Sequence, residues 1–445
     1  MSRSTDLVSR ILDIVGTKAD AGVYVRTGTS ALTRFANSFI HQNVSDDVVH
    51  VHLTVALDGR VASGSTTSTT DDALNSLVDR LVTVAAMQPV DSEFPGFGGS
   101  VEAQEIDHFD EETSRADPNA RAEIVKTFVG AGDGLLAAGM CGVDSYTDAY
   151  GNTAERFIDG RMTRVVLDGI HQTETSAGSG HSAGQSLGSI DATGAGRLAS
   201  HRAILGINAF DTKPGEYEVV LAPEAMATIA QFLTGYGFSG KSYNEGMSFV
   251  TLNEQRFDPT VHLKDDVSDP RGLGIPFDAE GTPRKTIAVI DGGATPSLLH
   301  DRRTATKAGN VSTGHASVTG EAWDNRPSGR NLFFGEGTWS EEDLIAHVER
   351  GIYVSTFNYC RVLDPKTVVV TGLTRNGTFM IENGAITGAV TNLRFTQSFI
   401  DALGPGRVKG IGANGRFAAG EDESGTVHTP TFHLASWNFT GGAAG

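Results

Sequence analysis

The sequence predicts an α+β protein: an N-terminal antiparallel sheet with flanking helices over residues 1–205, followed by a β-rich C-terminal domain over residues 206–445. Three observations predict it. Two early stretches carry apolar residues at helical spacing, short alternating segments joined by tight-turn residues lie between them, and turn signals recur about every ten residues after Gly215.

The first helix opens on the capping signal Ser4, Thr5, Asp6 and continues with Leu7, Val8, Ile11, Leu12, Ile14 and Val15 until Gly16 ends it. Short strands follow at 22–25, 30–35, 40–44, 48–55 and 60–65, the last two joined by Asp58 and Gly59, residues that tolerate the positive φ of a tight hairpin. A long helix runs from Asp71 to Met87 with Leu74, Leu77, Val78, Leu81, Val82 and Val84 on a broad face, and Pro89 closes it. After a Pro/Gly loop at Phe94–Gly99, a further helix is expected from Asn119 to Ala138, broken near Gly130–Gly134, and then strands at 140–144 and 163–168. Residues 173–196 are rich in Ser, Gly, Thr and Ala, and fit either a flexible linker or a strand whose small side chains let another backbone approach. The domain boundary falls near 200–215, after which a strand at Tyr217–Leu221 leads into a helix from Pro223 to about Thr234.

Hydrophobic residues make up 39% and charged residues 20% of the chain, and no apolar run reaches the roughly 18 residues of a membrane span. The first residues lack a basic segment leading into an apolar core, so a cytoplasmic location is expected, with no membrane partner. With 35 Lys and Arg against 54 Asp and Glu, the formal charge is −19, which repels phosphate backbones, so direct nucleic-acid binding is not expected. Two distant cysteines, Cys141 and Cys360, are too few for a disulfide framework, and each reads most simply as a small buried residue.

Several patterns invite a chemical reading. His50 and His52 share one face of a strand, a spacing metals use and exposed strands also show. His300, His315, His428 and His433 all lie in the C-terminal half. Ser182 sits in a Gly-x-Ser-x-Gly match, but its Ser/Gly/Thr-rich flanks lack the buried strand and following helix of a nucleophile elbow. Asp278, Glu280, Gly281 and Pro283 form a turn in which Gly281 can take positive φ.

The order of several segments is more specific than any one of them. Val219-Val220-Leu221 precedes Asn244-Glu245-Gly246, the Asp278-to-Lys285 turn, Asp291-Gly292-Gly293, Asp301-Arg302-Arg303-Thr304 and Thr313-Gly314-His315, and Trp437 and Phe439 lie in a closing segment. Together they resemble the TldD/PmbA, or modulator of DNA gyrase, family, whose active members are zinc peptidases working in two-subunit assemblies. The resemblance implies zinc held by a His-Glu-x-x-x-His helix after the Val-Val-Leu strand and by a later cysteine. Imidazoles and a thiolate bind the metal, while the Glu deprotonates its water. Aligned on Leu221 and Pro223, this chain has Gln231, Phe232 and Tyr236 at those positions. Glutamine is a poor zinc ligand and phenylalanine is no base. Cys360 falls near the third ligand's region, though Asn358, Tyr359 and Arg361 do not form the glycine-rich context of active subunits.

The resemblance therefore implies a PmbA/TldE-like subunit with no cofactor of its own, paired with a TldD-like partner that carries zinc and cleaves unfolded peptides in a chamber. It also implies that Asp278 and Glu280 lie near that cavity, with His300, His315 and Cys360 as further candidates. Two alternatives stay open: an independent hydrolase with a divergent site built from Cys360, His300, His315 and the carboxylates near Asp278, or a homodimeric binding protein without activity.

Overall fold

The computed structural model describes residues 2–102, 104–317, 326–421 and 427–442. The expected α+β class is what the chain adopts. Helix α1, Arg3–Val15, is capped by the Ser2 side chain accepting from the Thr5 N–H, and it ends where Gly16 takes φ 53°. Strands β1, Asp20–Ala36, and β2, Phe39–Leu57, form one long hairpin turned by Asn37 and Ser38, both at positive φ. The four short strands expected between 22 and 55 are thus two continuous ones. Their polar middles lie along the ladder and are not turns, because pairing of β1 with β2 runs unbroken from Asp20 to Arg34, although residues 39–47 of β2 are exposed on both faces. Strand β3, Arg60–Thr66, follows the Asp58-Gly59 turn, at φ 49° and 74°, as expected.

Helix α2, Asp71–Met87, matches its expected span. Helix α3, Pro118–Gly130, stops well short of Ala138, because Leu136 already opens β4, Leu136–Asn152. Strands β5, Phe157–Gln172, and β6, Ala177–Gly184, complete a six-stranded sheet ordered β3-β2-β1-β4-β5-β6, and α4, Ala192–Leu205, packs across its end. Of the two readings of 173–196, the close-approach strand is the one realised. A Cβ at Gly178 would lie 2.2 Å from the Ala199 carbonyl oxygen, and one at Gly180 would lie 2.0 Å from that of Ala195. Helix α4 was not anticipated, since its Ala, Gly and Ser residues carry little amphipathic signal. The helices cover one face of the sheet. Tyr24, Tyr150, Ile158 and Met162 on the opposite face pack against Ile275 and Phe277 of the C-terminal half.

The C-terminal half begins with β7, Gly215–Leu221, and α5, Pro223–Tyr236, near their expected bounds. Next come α6, Gly240–Asn244, β8, Leu263–Asp265, β9, Ile287–Ile290, α7, Arg302–Lys307, β10, Leu332–Phe334, and α8, Glu341–Ala346. The remainder comprises β11, Arg350–Asp364, β12, Val369–Glu382, β13, Ala385–Ala389, β14, Leu393–Ser398, α9, Phe399–Ala402, β15, Val408–Ile411, β16, Arg416–Ala418, β17, Val427–Thr429, and β18, Phe432–Gly442.

Five of these strands form a sheet ordered β16-β17-β10-β8-β9. In a second sheet the order β11-β7-β18-β14-β12 closes on itself, because β12 also pairs with β11. Its core is aromatic: the fully buried Trp437 stacks on Phe357 at 5.0 Å between ring centroids and contacts Phe395 and Phe399. Among the described residues no helix is long and apolar enough to cross a membrane.

Candidate functional site

Helix α5 starts on Pro223, whose fixed φ suits a first helical position, and Ala225, Met226, Ala227, Ile229, Ala230 and Leu233 bury it. Gln231, Phe232 and Tyr236 emerge on its less buried side. Phe232 packs on Phe399 and Tyr236 at 5.8 and 5.9 Å, and burial raises the Tyr236 phenol against the opposing pull of Arg326 and Arg361. Gly420 closes over Gln231, where a Cβ would come within 2.4 Å of Gln231 Oε1.

Cys360 is 2% exposed in the aromatic core, and its backbone N–H donates to Glu421 Oε1 at 3.1 Å. Burial, then the neighbouring Glu421 carboxylate, push its thiol far up, so it stays protonated. Zinc needs thiolate, imidazole or carboxylate donors at bonding distance. A carboxamide, two aromatic rings and a protonated core thiol do not fit it. Among the described residues no three His, Cys, Asp or Glu side chains are placed to hold a metal ion.

Beside α5 an open cavity of about 460 Å³ separates the sheet face of β4–β6 from β11 and β12, lined by Asp168, His181, Glu224, Asn358, Arg375 and Glu421 among others. Cys360 is not part of that lining. Glu224, 4% exposed, accepts from Arg416 Nη2 at 2.6 Å and lies 3.8 Å from Arg202. Burial opposes its charge, but the two guanidiniums hold it down at about 2. A carboxylate fixed in the charged form is a poor proton shuttle.

The other sequence candidates converge at the junction of the two halves. Asp278, 1% exposed, accepts backbone N–H bonds from Glu280 and Thr282 on Oδ1 and from Ala316 on Oδ2, each 2.9 Å. Gly281 takes φ 63° in this turn, where a Cβ would strike the Tyr150 ring at 2.2 Å. Glu280 Oε2 accepts from the Arg302 N–H at 2.9 Å. Burial works against the charge of both carboxyls. Asp278 has three amide donors to stabilise its anion, so the proton sits on Glu280, which burial and then Asp278 and Asp301 push up to about 8.

His300 and His315 are linked through Thr313. Its hydroxyl accepts from the His300 N–H at 2.7 Å and lies 2.9 Å from His315 Nδ1. His315 Nε2 is 3.2 Å from Asp265 Oδ1, both side chains fully buried. Burial opposes the Asp265 charge, and His315 and Arg284 more than offset it. The space beside Glu280 is only about 80 Å³, walled by Tyr24, Phe97, Tyr150 and Arg302. Four of the five candidate cavity residues therefore form a polar knot between the halves, with Asp278, His300 and His315 buried and Glu280 half-buried at its rim. Asp265, Arg284 and Arg302 complete it, and no pattern of residue type or spacing marks them in the sequence.

The remaining patterns resolve locally. Ser182 lies mid-strand in β6, and its Oγ accepts from the Asp191 N–H at 3.1 Å, so the elbow geometry is absent. His52 Nδ1 is 3.0 Å from Ser65 Oγ, and burial with neighbouring His50 pushes it down to about 4. His428 Nε2 accepts from Arg271 at 3.1 Å, and His433 Nε2 is 2.7 Å from Glu218 Oε1. His181 and Glu224, which line the open cavity, were not singled out, because a small-residue stretch and a helix start masked them.

Comparison with known proteins bears on this arrangement. Residues 214–441 match the family model of the PmbA/TldA metallopeptidase C-terminal domain, and residues 21–85 match that of domain 1. A metalloprotease of Methanothermobacter thermautotrophicus is 24% identical over 65% of this chain and 65% of its own length. A metalloprotease TldD homolog of Haemophilus influenzae is 26% identical over 48% of this chain and 45% of its own. Each match thus takes in less than two thirds of the relative. The crystal structure of TldE from Thermococcus kodakarensis superposes with a TM-score of 0.87 over 98% of this chain and 100% of that one, at 16% identity, which speaks to the fold.

Proposed function

We propose, from the premise that this chain belongs to the TldD/PmbA metallopeptidase family, that it is the non-catalytic, TldE-like subunit of a two-subunit zinc peptidase. In this reading a TldD-like partner carries the zinc, and the two chains enclose a chamber in which unfolded peptides are cut. This chain supplies walls and strand edges. One observation carries the reading: the helix that follows the Val-Val-Leu strand presents Gln231, Phe232 and Tyr236, and Cys360 is a protonated core residue. An independent hydrolase loses support, since His300, His315, Asp278 and Glu280 cluster away from the open cavity and only Glu280 reaches the small space of about 80 Å³. Two unpaired cysteines suit the reducing cytoplasm.

Co-expression with a TldD-like protein, metal analysis and a peptide hydrolysis assay test this. The expected result is a co-purifying complex that holds zinc and cleaves unfolded peptides, with the isolated chain metal-poor and inactive. Hydrolysis by the isolated chain, with tightly bound stoichiometric metal, would overturn it.

A further inference from the structure

We infer that the outer edge of β6 is a strand-addition site for an extended, largely apolar peptide. This inference rests on the proposed function, because it locates on this chain where an unfolded substrate is held.

Hydrogen-bond phase decides which backbone groups of β6 face outward. The Thr163 N–H of β5 donates to the His108 carbonyl at 2.9 Å, on the side away from β4. Antiparallel strands alternate their bonding direction residue by residue, so Val165, Leu167, Gly169 and His171 bond toward β6 and meet Gly184, Ser182, Gly180 and Gly178. Ser179, His181 and Ala183 must therefore turn their N–H and C=O groups outward. The Ser179 carbonyl is taken by Arg202 Nη1 at 3.0 Å. Among the described residues, the outward groups of His181 and Ala183 have no partner.

An edge of this kind is a template for a further strand. It is not sealed over. A groove of about 660 Å³ runs along it, with His181 to Ser186 as its floor, Ala195 and Leu198 of α4 as one wall, and Arg271, Phe417 and His428 as the other. The seat between an edge strand and a helix matches what β-augmentation requires, backbone pairing on one side and pockets for alternate side chains on either flank.

A second, independent observation points to a ligand. His181 is 5% exposed, yet neither ring nitrogen has a hydrogen-bond partner, and its nearest charge is Asp168 Oδ1 at 3.8 Å. His181 lines both this groove and the 460 Å³ cavity beside α5. The occupant's chemistry follows from the walls. Arg271 is already paired with Asp269 and Glu336, and Arg416 with Glu224, so each guanidinium of the groove already faces a carboxylate of its own chain. Leu198, Ala195 and Phe417 favour apolar side chains.

Ala183→Pro is the cleanest probe, because it deletes an outward N–H while leaving the β5 ladder intact, and proline is tolerated on edge strands. The assay is fluorescence anisotropy of the purified full chain with a fluorescein-labelled peptide of alternating Leu and Ser. Hydrogen exchange of the His181 and Ala183 amides is followed in parallel. The expected result is saturable binding that slows exchange at both amides and weakens about tenfold in the proline variant. A peptide alternating Leu and Pro should not bind.

Binding unchanged by a proline variant that melts like the parent would overturn the inference, as would protection at other strands only. Protection without peptide that grows with protein concentration would also overturn it, by showing a second copy on the edge. None of these results bears on the zinc-bearing partner, which stands or falls by co-purification and metal content.

Discussion

Replacing Glu280 by Gln tests whether the junction knot is structural. The Glu280 carboxyl is pushed up from about 4.5 to about 8 by burial and by the charges of Asp278 and Asp301. Between those values the folded chain holds a proton that the unfolded chain has released, so native stability falls as pH rises from about 4.5 to about 8 and levels off beyond. A tenfold difference in proton affinity between the folded and unfolded chain corresponds to about 1.4 kcal/mol. Part of the Glu280 side chain stays accessible to solvent, which screens the effect, so a loss of about 1–3 kcal/mol by pH 8 is expected. Gln carries no charge and keeps an oxygen for the Arg302 N–H. Urea unfolding of both proteins should therefore coincide near pH 5, with the Gln variant more stable by about that amount near pH 8. Parallel pH curves would refute the reasoning. A wild type that gains on the variant as pH rises would refute it more sharply, since it would mean that Glu280 is ionised and paired with Arg302.

Three further outcomes follow from the packing. The thiols of Cys141 and Cys360, which burial pushes up, should resist a disulfide reagent in the native state and both react after unfolding. Gly180→Val should cost about 1–3 kcal/mol in urea, because its side chain must displace the α4 backbone at Ala195. Trp437→Ala should cost about 3–5 kcal/mol by removing the ring that Phe357, Phe395 and Phe399 surround.

Local periodicity makes the helices at 3–15 and 71–87 and the Asp58-Gly59 hairpin legible in the sequence, since caps, apolar stripes and turn residues act over a few positions. Strand length was harder to read. The polar runs inside β1 and β2 look like turns in a sequence, while in the molecule they are ladder positions held straight by backbone pairing to their neighbours. Helix α4 escaped because it is recognised by β6 through missing side chains, and missing side chains draw no apolar stripe along a sequence. At the site, Gln231, Phe232 and Tyr236 could be read from order along the chain. The enclosure of Asp278 with His315 could not, because residues nearly forty positions apart meet only after the sheets have formed. The outward groups of β6 were equally hidden: hydrogen-bond phase is a property of the assembled ladder.

The closed ring of strands sets an order of events in time. Its opening strand, β7, lies between β11 and β18, so the residues that begin the C-terminal half gain one of their two neighbours only when residues 432–442 arrive. During synthesis the N-terminal sheet, complete by Gly184, can form while β7 waits with an open edge through more than two hundred further residues. Chain shortened before Phe432 should leave β7 and β14 each missing the same partner, and the half should fail as a unit. The C-terminal core is thus an all-or-none structure, whose last strand licenses its first.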